Sequence, residues 1–365
     1  MVLAVHASSG RAGGGVTPAI AALLLLVLTS PTWAACKLTK GPIALPEGID
    51  LLQNADGTVA VYSAQVRRDV DGALNAYHPC GANFPDNVCT GGNFGLDHIC
   101  SGVGVRDAAG NKVPPSELDP ITKKPTSARC LRTFREAAAA GFPECGQKRA
   151  CVERWPGIVR ATRDPAVVGL QKQIPILRPP GAAFAGYYVS QTTLGRADPA
   201  APGGTSYLDA RKVPYIVVPG SSVLTHKWSF GSATSPDLAL IVQREQDGPT
   251  RGVFAVIGDT GPKAETGEGS VALLGRLRGL PKDQLDLDRP TARALPSKPF
   301  VENATYILFK ASGHLLKDVW PSRDLTAQDI RVAGQKALEG IGGLAALAEC
   351  AGLPSNVESV QISQD

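Results

Sequence analysis

Two carboxylates in the C-terminal half of the chain flank one short glycine-rich loop. Residues 253–274 read V-F-A-V-I-G-D-T-G-P-K-A-E-T-G-E-G-S-V-A-L-L, which contains Asp259 and Glu268. The apolar run 253–257 predicts a strand that ends at Gly258, and working residues are often placed on loops at strand ends. Glycine beside each acid lets a ligand or backbone approach closely. Two acids facing one cleft are the minimum for general acid/base hydrolysis of a glycosidic bond.

The same residues also form good turn chemistry, so spacing alone leaves a structural interpretation open. Asp caps, Gly supplies positive φ and Pro fixes φ in the segment D-T-G-P. A phosphate-binding loop is excluded, because the pattern G-x-x-x-x-G-K-[ST] is absent and the acids would repel phosphate.

The first 34 of the 365 residues have the pattern of a secretory signal peptide. Arg11 gives a basic start, residues 19–28 form a short apolar core, and Thr32 and Ala34 are small residues at a cleavage site. The apolar run is too short for a comfortable transmembrane helix, and we expect no membrane span elsewhere. The sequence therefore predicts a secreted protein, extracellular or periplasmic.

All eight cysteines lie after this cleavage point, and an even number in an exported chain predicts disulfide bonds whose pairing stays open. No C-x-x-C pair occurs, which argues against a zinc site. The cysteines are Cys36, Cys80, Cys89, Cys100, Cys130, Cys145, Cys151 and Cys350.

The formal charge of +4 is close to balanced and indicates no particular partner. No basic run with interleaved aromatic residues suggests nucleic acid, so we expect no nucleic-acid partner. We also expect no metal and no cofactor, and a monomeric protein.

Many short strand patterns and few helical ones predict a mainly β (α+β) fold centred on a β-barrel. Strand patterns occur at 59–62, 186–190, 213–220, 238–242, 253–257 and 305–309, and 238–242 is expected to pair with 253–257. Residues 35–325 are expected to form a single catalytic domain with a Cys-rich insert at 101–150, in which 127–140 has helical spacing. Residues 326–365 are expected to form a C-terminal helix, over 326–348, and a tail.

Three segments in sequence carry a family resemblance. They are 62–79 (Y-S-A-Q-V-R-R-D-V-D-G-A-L-N-A-Y-H-P) with G-L-D at 95–97, 186–220 (from G-Y-Y-V-S-Q-T-T-L to V-P-Y-I-V-V-P-G), and 256–273. In this order they closely resemble the secreted, bacterial-type chitosanases of glycoside hydrolase family 75, over about residues 58–315.

The resemblance implies endo-hydrolysis of β-1,4-linked glucosamine polymers with inversion at the anomeric carbon. It assigns Asp259 and Glu268 as the essential carboxylates and puts Asp69 and Asp71, of the D-x-D-G segment, in the substrate cleft. It also implies a barrel related to double-psi barrels, and chitosan or a related amino-sugar polysaccharide as the partner. Intrinsic pKa values favour Glu268 as the acid and Asp259 as the base, with the reverse open.

Further substrate-binding candidates are His78, Asp97, Tyr188 and Trp228. An acid such as Asp97 suits a cationic polymer, aromatic rings stack on sugars, and the histidine could bind substrate or hold a loop. Asp209, close to Arg211, is interpreted as a structural ion pair.

The long insert and the small number of tryptophans keep two alternatives open. One is a non-catalytic glycan-binding envelope protein, and the other is a hydrolase of another amino-sugar polymer such as peptidoglycan.

Overall fold

The computed structural model describes part of the chain, and all of that part belongs to one compact unit, Ala35–Asp365. The described residues are 38–74, 77–78, 94–95, 104–106, 151–153, 176–177, 180–181, 188–189, 191–201, 204–219, 236–244, 250–261, 266–280, 301–351 and 360–363.

Seventeen strands and three α-helices are described. The strands are β1 (Thr39–Ala44), β2 (Asp50–Gln53), β3 (Val59–Asp69), β4 (Tyr77–His78), β5 (Phe94–Gly95), β6 (Gly104–Arg106), β7 (Cys151–Glu153), β8 (Ile176–Leu177), β9 (Tyr188–Val189), β10 (Gly195–Ala197), β11 (Thr205–Tyr207), β12 (Tyr215–Pro219), β13 (Leu238–Arg244), β14 (Thr250–Gly261), β15 (Glu268–Ser270), β16 (Val301–Phe309) and β17 (Gln361–Ile362). The helices are α1 (Val271–Leu277), α2 (Ala327–Gly340) and α3 (Gly343–Ala351), with 3-10 turns at Pro46–Gly48 and Ser312–Leu316.

Six strands close into a barrel. They pair in the order β3-β15-β12-β14-β13-β16, and β16 pairs back with β3. The pairs β3/β15 and β12/β14 are parallel and the other four are antiparallel. This confirms the mainly β, barrel-centred fold. The order is interleaved along the chain, since β15 lies between β3 and β12.

Apolar residues cover both faces of the barrel wall, which explains why its strands read as nearly continuous apolar runs. Tyr215 and Val217 belong to one hydrophobic cluster, whereas Ile216 and Val218 belong to a second cluster on the opposite face. The predicted pairing of 238–242 with 253–257 is confirmed, with Leu238 opposite Val256.

The predicted C-terminal helix is present as two helices. Thr326 and Asp329 form a capping box at the start of α2, and the side chains of Ile330 and Ala333 join the first cluster. The helix stops before Gly342 and Gly343, whose φ angles of 90° and 83° are left-handed. Consecutive residues with positive φ break the helical hydrogen-bond ladder, so the single helix expected over 326–348 is wrong in this detail.

Three small sheets accompany the barrel: β5-β4-β9-β8, β6-β7 and β10-β11. Most of the predicted insert at 101–150, including the helical segment 127–140, lies outside the described residues, as do the cysteine side chains and residues 1–34. Within the described part of the chain, no helix combines the length and hydropathy needed to cross a bilayer.

Candidate active site

Strand register places three of the predicted acids on one face of the barrel wall. Asp259 of β14 is opposite Val217 of β12, and Val217 is opposite Glu268 of β15. Farther along, Ser270 of β15 is opposite Asp69 of β3. Directly paired residues share a face, and Glu268 and Ser270 are two residues apart, so all three acids face the same way.

The prediction that the strand ends at Gly258 is wrong. β14 continues through Asp259 to Gly261, because β12 keeps pairing with it in parallel beyond a register shift next to Gly258. Asp259 is therefore held on a strand inside the barrel wall and not on a loop. Such a position fixes its side chain more precisely than a loop would.

The segment Asp69-Val70-Asp71-Gly72 forms a tight turn at the end of β3. The Asp71 amide donates to Oδ1 of Asp69 at 2.9 Å. Gly72 has φ +77°, and a Cβ there would lie 1.8 Å from the Leu208 carbonyl oxygen. Only glycine fits this turn, which brings the Asp71 carboxylate back beside Asp69.

Asp69, Asp71 and Asp259 form a compact carboxylate cluster. Oxygen atoms from the three side chains lie within 4.8 Å of one another, and Asp71 and Asp259 are 8% and 7% exposed. The sequence singled out all three residues, and the fold brings them together from β3, its following turn and β14.

One oxygen of Asp259 collects most of its hydrogen bonds. The Thr193 amide and hydroxyl donate to Oδ1 at 2.8 and 2.7 Å, and the Thr260 amide donates to the same atom at 2.7 Å. Sequence reasoning missed Thr193, although the Q-T-T-L segment containing it is part of the resemblance.

Burial and like charge change the acidity of the cluster. Burial, reinforced by the charge of Asp71, raises the pKa of Asp259 to about 7, against the lowering effect of the hydrogen bonds from Thr193 and Thr260. Burial, together with the charges of Asp71, Asp259 and Glu268, raises the pKa of Asp69 well above its usual range. At neutral pH, Asp259 is therefore poised between its two forms.

A second glycine-dependent turn delivers Glu268. Gly267 has φ +87°, and a Cβ there would lie 2.0 Å from the Gln65 carbonyl oxygen. The Glu268 side chain reaches across β12, since a Cβ at Gly261 would lie 2.8 Å from its Oε2. The missing side chain at Gly261 thus makes room for the Glu268 carboxylate beside β14.

This contact places both predicted catalytic acids along one stretch of β14. Gly261 and Asp259 are two residues apart on one strand face, a backbone spacing of about 6.6 Å. The carboxyl of Glu268 lies beside the first of these positions, and Asp259 occupies the second. Inverting glycosidases separate their carboxyls by about 6.5–9.5 Å to admit a water molecule, and retaining enzymes by about 5–5.5 Å.

Tyr215 supports the cluster from β12 and was predicted only as part of a buried strand. Its hydroxyl donates to the Asp71 carbonyl oxygen at 2.8 Å and lies 3.2 Å from Oδ2 of Asp69. The sequence feature that could have indicated this role is a tyrosine within a strand predicted to be buried, because a buried hydroxyl needs a polar partner.

The remaining candidates are described only in part. His78 lies in β4 and Tyr188 in β9, where Tyr188 pairs with Tyr77; their side chains, and all of Asp97 and Trp228, lie outside the described residues. The structural interpretation of Asp209 is confirmed, because Arg211 binds both of its carboxylate oxygens, at 3.2 and 3.0 Å.

The carboxylate cluster is the one place in the described chain where a cation could be considered. Three carboxylates are the oxygen donors that hard cations prefer. However, Oδ1 of Asp69 and Oδ1 of Asp259 already accept hydrogen bonds, and the Tyr215 hydroxyl lies 3.2 Å from Oδ2 of Asp69. The cluster therefore fits shared protons better than a resident metal, and the absence of a metal stays a prediction.

Comparison with models of known protein families finds no match to this chain, and comparison with curated proteins finds none either.

Proposed function

We propose that this protein is a secreted endo-hydrolase of a β-1,4-linked amino-sugar polymer, chitosan in the first instance. The observation that carries the proposal is the placement of Asp259 and Glu268 on one face of a rigid wall, with the Glu268 carboxylate beside Gly261. Two acids on one face can act as general acid and general base, and the resemblance of three sequence segments to family 75 chitosanases supports an inverting reaction.

In the proposed mechanism, Asp259 is the general acid. Burial raises its pKa to about 7, so a substantial fraction carries a proton near neutral pH and can deliver it to the leaving glycosidic oxygen. Glu268, which is more exposed, is the general base that activates water on the opposite face of the sugar. This assignment reverses the one that intrinsic pKa values favour, because the environment of Asp259 outweighs its intrinsic acidity.

The site has more carboxyl groups than the two that acid/base catalysis requires, and the additional ones suit a cationic polymer. Asp69 and Asp71 lie beside Asp259, and carboxyl oxygens are good hydrogen-bond acceptors for the ammonium group of glucosamine. Export belongs to the same proposal, since a polysaccharide must be degraded outside the cell. The predicted signal peptide and disulfides support that location.

The test is reducing-end release by residues 35–365 from well-deacetylated chitosan, partly acetylated chitin and peptidoglycan. Asp259→Asn and Glu268→Gln are compared with wild type, and Glu339→Gln, an exposed acid on α2, is the matched control. A parallel assay in EDTA tests the prediction that no metal is needed.

We expect release from chitosan by wild type and by the control, unchanged by EDTA, and losses of at least about 10³-fold in both active-site variants. Release from peptidoglycan alone would identify another amino-sugar polymer as the substrate. Tight binding to chitosan without release from any polymer would contradict the proposal and favour a glycan-binding protein.

A further inference from the structure

Thr193 is an exposed residue that contacts a buried acid. It lies just before β10, in a segment held against the barrel by the Leu194 amide, which donates to the Gly258 carbonyl oxygen at 2.9 Å. Within the same segment the Thr192 hydroxyl donates to the Leu194 carbonyl oxygen at 2.7 Å and accepts from the Leu208 amide. These bonds fix the position of Thr193 next to Asp259.

The Thr193 hydroxyl is the centre of a short hydrogen-bond chain. It lies 2.7 Å from Oδ1 of Asp259, 2.8 Å from the Thr260 hydroxyl and 3.2 Å from the Thr260 amide nitrogen. A hydroxyl has one proton. When the Thr193 hydroxyl donates to Asp259, the Thr260 hydroxyl can donate to the Thr193 oxygen. In this arrangement both hydroxyl protons have an acceptor.

The two oxygens of Asp259 are therefore not equivalent. A carboxylate oxygen has about two lone-pair sites, and three donors already converge on Oδ1. We infer that Thr193 is a positioning residue for the proposed reaction: its amide and hydroxyl occupy Oδ1 of Asp259 and leave Oδ2 to carry the proton.

This inference rests on the proposed function for its role in catalysis, but the hydrogen bonding can be tested without it. The titratable groups that face Asp259 are Asp69 of β3, Asp71 of the following turn, Glu268 of β15 and Tyr215 of β12. Among them, the charge of Asp71 is the one that mainly opposes ionisation of Asp259. Hydrogen bonds from Thr193 act in the opposite direction, since they favour the charged carboxylate.

The experiment compares Thr193→Val, which removes the hydroxyl at nearly constant shape, with Thr193→Ser, which keeps it. Carboxyl ¹³C NMR titration of the mature chain, with Asp259 assigned from the Asp259→Asn spectrum, measures the pKa without substrate. We expect the pKa of Asp259 to rise by about one pH unit in Thr193→Val and to stay near wild type in Thr193→Ser.

In chitosan hydrolysis, the same shift should move the alkaline limb of kcat upward in Thr193→Val. Its maximal kcat should fall about tenfold with little change in KM, and Thr193→Ser should restore both. An Asp259 titration that is unchanged in Thr193→Val, or a Thr193→Ser variant that behaves like Thr193→Val, overturns the inference. If wild type hydrolyses nothing, the proposed function fails, and the NMR result still decides the role of the Thr193 hydroxyl.

Discussion

Asp259 is the residue on which opposing influences meet. Burial and the charge of Asp71 favour its protonated form, whereas hydrogen bonds from Thr193 and Thr260 favour the carboxylate. A general acid works best when its pKa is close to the operating pH, and the balance of these effects gives a value of about 7. Each of these effects can be removed by a single substitution. The pKa of Asp259 should then move in the direction opposite to that of the effect removed.

Removing the charge of Asp71 should lower the pKa of Asp259, because that charge is the main electrostatic effect raising it. Asp71→Asn keeps the size of the side chain. We expect the alkaline limb of the pH profile of kcat/KM to move down by up to about one pH unit, opposite in direction to Thr193→Val. An upward shift, or a profile identical to that of Glu339→Gln, would show that Asp71 does not act on the catalytic acid.

At the level of elements, the loop between β14 and β15 returns the chain to the barrel wall, so that a second acid, Glu268, lies near Asp259. β15 returns to pair with β12, so Glu268 crosses one strand and its carboxylate reaches Gly261 on the far side. The glycine at 261 is explained by this close approach. Any side chain there competes with the Glu268 carboxylate for the same space.

Gly261→Ala should therefore displace Glu268 and leave Asp259 in place. The new Cβ would lie 2.8 Å from Oε2 of Glu268 and 2.9 Å from Cγ1 of Val217, and the flexible end of the Glu268 side chain must move farthest. Displacement of a catalytic group by about 1 Å costs up to about 10²-fold, so we expect kcat to fall about 10- to 100-fold. The measurement is kcat with its pH profile, in which the limb due to Asp259 should stay unchanged.

Gly340→Ala is the matched control for this substitution, because a Cβ there meets nothing within 4 Å. It should have wild-type activity. Full activity in Gly261→Ala would mean that Glu268 does not need the position beside β14, and its role as the base would be contradicted.

Elements were predictable where local pattern decides them. The apolar runs at 238–242 and 253–257 predicted β13, β14 and their pairing, and Gly342-Gly343 was recognised as a weak point of the C-terminal helix. The end of β14 was not predictable, because its last residues are held by parallel pairing with β12, some forty residues earlier in the chain. No local pattern reports a partner at that distance.

The residues of the site also differ in how far the sequence could predict them. Carboxylates beside glycines are visible in a sequence, so Asp69, Asp71, Asp259 and Glu268 could be named. Thr193 and Tyr215 could not, because a threonine before a strand and a tyrosine within one have many ordinary structural uses. Their importance depends on which oxygen atom they reach in the folded protein.

For the whole molecule, a buried acid that must ionise reduces stability. The pKa of Asp259 is about 7 in the folded protein, above the ordinary value of 3.8. Its favourable contribution to folding is therefore complete below pH 3.8 and is lost as the pH rises through 7. The protein thus has lower stability at neutral and alkaline pH, and in return a protonatable group at the candidate site.

Asp259→Asn should consequently be more stable than wild type at alkaline pH. The amide imitates the protonated carboxyl and cannot ionise, and a shift from 3.8 to about 7 corresponds to an upper limit of about 4 kcal/mol. We expect the gain in free energy of unfolding to grow by about 2.6 kcal/mol between pH 5 and pH 8, measured by urea denaturation. A gain independent of pH would mean that Asp259 keeps an ordinary pKa.

The most direct test of the account is the anomeric configuration of the first product. Residues 35–365 would be mixed with chitosan in the NMR tube, and the new reducing ends followed by ¹H NMR before mutarotation, with Asp259→Asn and Glu268→Gln beside wild type. The account predicts α-anomeric ends from wild type and none from either variant, because a water activated by Glu268 on the face opposite the leaving group inverts the β-linkage. First products in the β configuration, or undiminished release by either variant, would contradict it.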